Sequence, residues 1–247
     1  MRVKIDDSVR RTPEREPRPL PPAPEIVGAY EKREVSDHPL FCSLRSAPVD
    51  LEAIWILVAN LQAGISRDFV RWLARTIDRV DDRRIACLLA KQLNDELGNG
   101  AFDQIHSRLL ERFVSGLDPW RPKAIADSRL LGPGKRLAES GSRPFSAPDA
   151  YEGVGALMVG EIFAKKMDHC LGDEIRRQGV LSAHTLTWLT LHETLEVDHA
   201  DDSRALAELV PNEGPALHAT WRGATAQWKA LWQFLDDVHE VTAARHR

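Results

Sequence analysis

At 247 residues, with 43% apolar and 28% charged side chains, the chain can bury a sizeable core and has the make-up of a folded globular protein. Its formal net charge of −4 offers no general attraction to nucleic acid. No apolar run approaches the roughly 20 residues that cross a bilayer, so neither nucleic acid nor membrane is an expected partner. Cys42, Cys87 and Cys170 are odd in number and widely spaced, giving neither a CxxC metal motif nor a disulfide framework. The charged, Pro-rich amino terminus lacks the apolar stretch of a signal peptide, and a reducing cytoplasm is the expected compartment.

Residues 1–48 have the composition of a partly disordered tail, with Pro13, Pro17, Pro19, Pro21, Pro22 and Pro24 set among Arg and Glu. Its later part, His38 to Phe41, carries apolar residues able to dock on the body. Residues 49–247 are expected to form a helical domain. Ile54, Leu57, Val58, Leu61, Ile65, Phe69, Leu73 and Ile77 recur at helical spacing up to a break at Asp81-Asp82. A second stripe runs through Ile85, Leu88, Leu89, Gln92, Leu93 and Glu96. Gly98 and Gly100 interrupt it before Phe102, Ile105, His106, Leu109, Leu110 and Phe113 resume the pattern.

Residues 117–149, rich in Pro, Gly and Ser, are expected to be a long connection with a short helix near Lys135 to Ser140. A connection of that length is often a lid. Ser146-Ala147-Pro148-Asp149 then starts a helix that Gly179 stops. Two more helices follow, about 183–209 and 215–244. No strand alternation and no internal repeat is present, so the expected class is all-α, one bundle of six to eight helices.

Polar groups on the apolar stripes carry the chemistry. His192, Glu196 and His199 fall at i, i+4 and i+7, one face of a helix. Glu96 follows Leu93 by three and Leu89 by seven. His106 follows Phe102 by four, and Glu161 follows Leu157 by four. Burying such groups is costly unless something satisfies them, and a metal would satisfy several at once. Imidazole with carboxylate suits iron, manganese or zinc. From the first helix, Asp68 is the candidate, since it follows Leu61 by seven and should lie level with Glu96 if the helices fold back at Asp82. Arg108 and Lys165 are cations able to meet a substrate carboxylate, but each is expected at the solvated surface.

Asp95-Glu96-Leu97-Gly98-Asn99-Gly100 with His106, then Glu161, then His192-x3-Glu196-x2-His199 resembles the ligand pattern of the haem-oxygenase-like diiron oxidases and oxygenases, a family that includes iron-containing redox enzymes. The resemblance covers about residues 50–240. It implies a haem-oxygenase-like bundle and two Fe(II) per chain, with manganese or a mixed pair as variants. One metal would take Glu96, His106 and His199 with a first-helix carboxylate. The other would take Glu96, Glu161, His192 and Glu196. Family members often have Glu in the first helix, where this chain offers only Asp68. The implied activity is O2-dependent oxidation of a small substrate, an amino acid or amine by preference, in a specialised-metabolite pathway. The reaction would be N-oxygenation, desaturation or C–C cleavage, and a homodimer is allowed for. Two other readings stay open: a metal-free enzyme of the same fold, related to thiamin-degrading or quinone-cofactor-forming proteins, and a non-catalytic helical binding protein.

Overall fold

The helix starts are written in short acidic side chains. Asp50, Asp82 and Asp149 accept hydrogen bonds from the backbone N–H of Ala53, Arg84 and Tyr151 at 3.0, 2.8 and 3.0 Å. They cap α3 (Leu51–Leu61), α5 (Arg83–Glu96) and α9 (Ala150–Gln178). A computed structural model describes residues 20–45 and 50–246, apart from the side chains of Gln178, residues 193–200 and His246. Among the described residues there are α-helices and no strand, eight of the helices being eleven residues or longer. No helix among them is long and apolar enough to cross a membrane. The class is the expected all-α bundle.

The other helices are α1 (Ala23–Glu31), α2 (Pro39–Leu44), α4 (Phe69–Arg79), α6 (His106–Gly116), α7 (Asp127–Leu130), α8 (Gly132–Phe145), α10 (Thr187–Leu209) and α11 (Gly214–Ala243). The parallel pair α9 and α11 is the spine. A Cβ on Gly155 would lie 2.0 Å from the Thr220 carbonyl oxygen, and one on Gly223 would lie 1.9 Å from that of Glu152. Only glycine permits this approach. α10 and α1 pack against α9 on one side, and α8 and α4 on another. Gly179 ends α9 at φ +64°, the left-handed conformation its sequence position anticipates.

Three expectations change. Residues 20–45, expected as part of a tail, build α1 and α2, and Ile26, Val27, Tyr30, Val35, Leu40, Phe41 and Leu44 are core residues. Prolines start both helices, at positions where a missing N–H costs nothing. The expected connection 117–149 contains α7 and the fourteen-residue α8. Buried Asn60 holds it, donating to the Leu130 carbonyl at 2.9 Å and accepting from Gly134 N–H at 2.8 Å. The first stripe is three segments, α3, a π-helical turn at Gln62–Ser66, and α4.

His38, expected in the tail, is fully buried at the start of α2. Its Nδ1 accepts from Leu40 N–H at 3.1 Å, and its Nε2–H donates to Asp236 at 3.0 Å. Burial pushes the imidazole below its ordinary value of 6.5, and the Asp236 carboxylate only partly restores it. The folded protein therefore resists a proton that the unfolded chain accepts below 6.5. This stabilisation is complete above 6.5 and is lost as pH falls through the window beneath it. Melting temperatures at pH 7.5 and 5.5 are expected to fall further for the wild type than for His38→Asn, which keeps a capping acceptor but cannot titrate. Equal falls would remove the role of His38.

Candidate functional site

Glu96 ends α5 and His106 begins α6, and the loop between them brings the two together. Gly98, Asn99 and Gly100 all have positive φ, 71°, 52° and 84°. A Cβ on Gly98 would lie 2.6 Å from the Gln104 carbonyl carbon. The glycines thus permit a turn tight enough to bring His106 back onto Glu96, with Nδ1 3.2 Å from Oε1. The angle makes no hydrogen bond, so this Nδ1 is a buried nitrogen without a hydrogen-bond partner among the described residues.

α10 faces this pair. The His106 and His192 rings are 4.9 Å apart, and the His192 ring is 4.2 Å from that of Trp188. His192 Nδ1 lies 2.9 Å from the Trp188 carbonyl oxygen. A carbonyl can only accept, so Nδ1 carries the hydrogen and Nε2 keeps the lone pair, the arrangement of a metal-binding imidazole held by its outer shell. Trp188 is itself stacked on Phe113, ring centres 5.8 Å apart.

Glu96, His106, Glu161 and His192 all line one cavity of about 120 Å³. Its remaining wall is largely apolar: Leu61, Ile65 and Phe69 from the first helices, Phe145 from α8, Leu157 and Met167 from α9, and Leu231 from α11. Leu157 and Trp188 are wall residues, whereas Phe113 and Met158 are core residues outside the lining. Phe102, expected inward, is 67% exposed and lies under the Arg108 guanidinium at 4.0 Å.

Glu196 and His199 lie outside the described residues. Asp68 goes elsewhere: it precedes α4, pairs with Arg71 at 3.1 Å and lines a separate surface groove. The π-helical turn is the physical reason. It inserts one residue into the turn and advances the register, so Phe69, not Asp68, follows Leu61 onto the cavity wall. Two lining groups escaped the sequence reading, Asp168 and Gln227, 1% and 4% exposed. Asp168 follows Glu161 by seven, so the same helical spacing that marked Glu161 also marks Asp168.

In kind, these donors fit iron: two imidazoles, carboxylates, and a buried ring nitrogen with no hydrogen bond. In spacing, no three His, Cys, Asp or Glu side chains among the described residues form a metal-holding group.

The profile of a family described as iron-containing redox enzyme matches residues 58–232. Among curated proteins nothing matches the chain. A solved structure, a TenA homolog from Pseudomonas syringae pv. tomato, is similar in fold with a TM-score of 0.64 at 13% identity, covering 88% of this chain and 91% of that one.

Proposed function

The chain belongs to the iron-containing redox enzyme family, and on that premise we propose that it is an iron-dependent, O2-using oxidase of a small substrate. The observation that carries this reading is the meeting of Glu96, His106, Glu161 and His192, from four helices, at one cavity. Glu96, His106, Glu161 and His192 would hold the metal, joined by Glu196 and His199 from the same helix as His192. Bound iron would supply the electrons that reduce O2.

The chain's own residues do the rest. The Trp188 carbonyl holds His192 in the tautomer that presents Nε2. The glycine turn between Glu96 and His106 fixes the distance between their side chains. The largely apolar wall lowers the local dielectric, which strengthens electrostatic interactions at the site. At about 120 Å³ the cavity is below the range typical of drug-sized ligands and suits a slender substrate.

A second reading, a metal-free enzyme of the same fold, has one observation in its favour. As placed, no three of the described ligand-type side chains are grouped closely enough for a metal. Anaerobic Fe(II) titration separates the two. Uptake of one to two irons per chain, followed by an absorbance change on adding O2, is expected for the iron reading. Absence of uptake assigns the cavity to the metal-free reading.

A further inference from the structure

α9 serves two chambers. Glu161, Ala164 and Asp168 line the cavity described above, whereas Ile162, Lys165, Lys166, His169, Cys170 and Asp173 recur at three- and four-residue spacing along another side of the helix. There they wall a second cleft, of about 540 Å³, completed by α1, α2 and Arg204 of α10. That volume is within the roughly 300–1,000 Å³ of small-molecule sites. The apolar part of its wall is Phe41, Ile162 and Cys170. Burial pushes the Cys170 thiol above its ordinary value of 9.0, so it stays protonated at neutral pH and serves as wall rather than nucleophile.

The carboxylates of this cleft are already matched. Glu31 accepts from Arg204 at 2.6 Å, Glu34 lies 3.6 Å from Lys166, Asp173 accepts from Arg176 at 3.4 Å, and Glu174 pairs with Arg177. Arg176 and Arg177 are outside the lining, so they neutralise two acids without engaging its cations. Arg45 has no carboxylate partner among the described residues, and its guanidinium donates to Cys42 Sγ at 3.2 Å. Its charge also acts on the Cys170 thiol across the cleft. Arg177 fixes the backbone there by donating to the Leu44 and Arg45 carbonyls, at 3.2 Å each, which the end of α2 leaves free. Positive charge is therefore in excess, and Arg45 is the group without a counter-ion.

We propose that this cleft binds a small organic anion, its carboxylate or phosphate group received by Arg45 and its apolar body lying against Ile162 and Cys170. The guanidinium fork matches either anion with two parallel hydrogen bonds. A cationic ligand would meet Arg45 with every carboxylate of the cleft already engaged. The proposal is independent of the iron reading, because no residue of this cleft lines the cavity assigned to metal.

The test is calorimetric titration of the metal-free full chain, at low ionic strength, with phenyl phosphate, phenylacetate, benzyl alcohol, benzylamine and inorganic phosphate. The two aromatic anions are expected to bind at least about tenfold more tightly than the alcohol or the amine, the size of effect a hydrogen bond to a charged group produces. Inorganic phosphate, which lacks the ring, should bind at least about fivefold more weakly than phenyl phosphate. Arg45→Gln should remove most of the anions' advantage, and Arg45→Glu should reverse it in favour of benzylamine. Arg108→Gln, which removes the guanidinium that covers Phe102, should leave every ratio unchanged. Alcohol or amine within about twofold of the anions would overturn the proposal, as would inorganic phosphate equal to phenyl phosphate, ratios untouched by Arg45→Gln, or no binding of any probe. Fe(II) uptake by Arg45→Gln should equal that of the wild type, so either reading can fail without the other.

Discussion

On the iron reading, in which His192 is a ligand, His192→Ala is expected to lower Fe(II) affinity by more than the roughly 10–100-fold that follows loss of an outer-shell partner. The absorbance change on adding O2 should disappear with it. The fold should survive. His192 is half-buried, its ring contacts being with His106 and Trp188, and α10 is held by residues such as Trp188, Leu189, Leu206 and Ala207 that the substitution leaves in place. Far-UV circular dichroism of the variant should therefore overlay that of the wild type. Asp68→Ala is the matched control: its carboxylate faces Arg71 on a surface groove, so iron uptake should be unchanged. Unaltered O2 reactivity in His192→Ala would count against the iron reading. Loss of iron in Asp68→Ala would count against the placement of that side chain.

Gly223→Ala is expected to be the most damaging glycine-to-alanine change among the described residues. The new Cβ would lie 1.9 Å from the Glu152 carbonyl oxygen and 2.6 Å from its carbon, both backbone atoms of the neighbouring helix. A flexible side chain can swing away from a clash, but here α9 and α11 themselves must part. Overpacking of this kind costs about 3 kcal/mol, the upper part of its usual range, because the obstruction is backbone. For a domain of this size that is a fall of about 6–12 °C in melting temperature. Glu161 is on α9 and faces the cavity that α11 helps to wall, so iron uptake should weaken in whatever fraction stays folded. A melting temperature within about 2 °C of the wild type would show that the helices give way cheaply.

Much of the bundle is legible in local chemistry. Asp50, Asp82 and Asp149 start helices because a short carboxylate satisfies a free N–H, a contact made within three residues. Gly179 ends α9 because left-handed backbone favours glycine, again a local matter. The spacing of Glu96, His106, Glu161 and His192 on apolar stripes is likewise local, and the bundle carries all four to one cavity.

What periodicity misses depends on partners distant in the chain. Ile26 and Tyr30 lie in a Pro-rich segment whose composition favours partial disorder, yet their apolar surface is buried in the core, as is that of Leu40 and Phe41, expected to be able to dock. Tyr30 meets the Trp228 ring at 5.1 Å, a contact separated by almost the whole chain. Asn60 looks like any helical polar residue until Leu130 and Gly134 take up its amide.

The amino-acid order determined the all-α class, the start of helices such as α3, α5 and α9, and the shared faces of Glu96, His106, Glu161 and His192 with apolar neighbours, since these follow from contacts a few residues apart. Only the tertiary structure decided that Asp68 stays outside, because one residue of π-helical register turns it away while Gly64 packs with its Cβ position 2.9 Å from the Gly134 carbonyl oxygen. The same holds for Gln227: whether its buried Oε1 has a donor depends on what α9 and α11 bring together, and no local pattern encodes that.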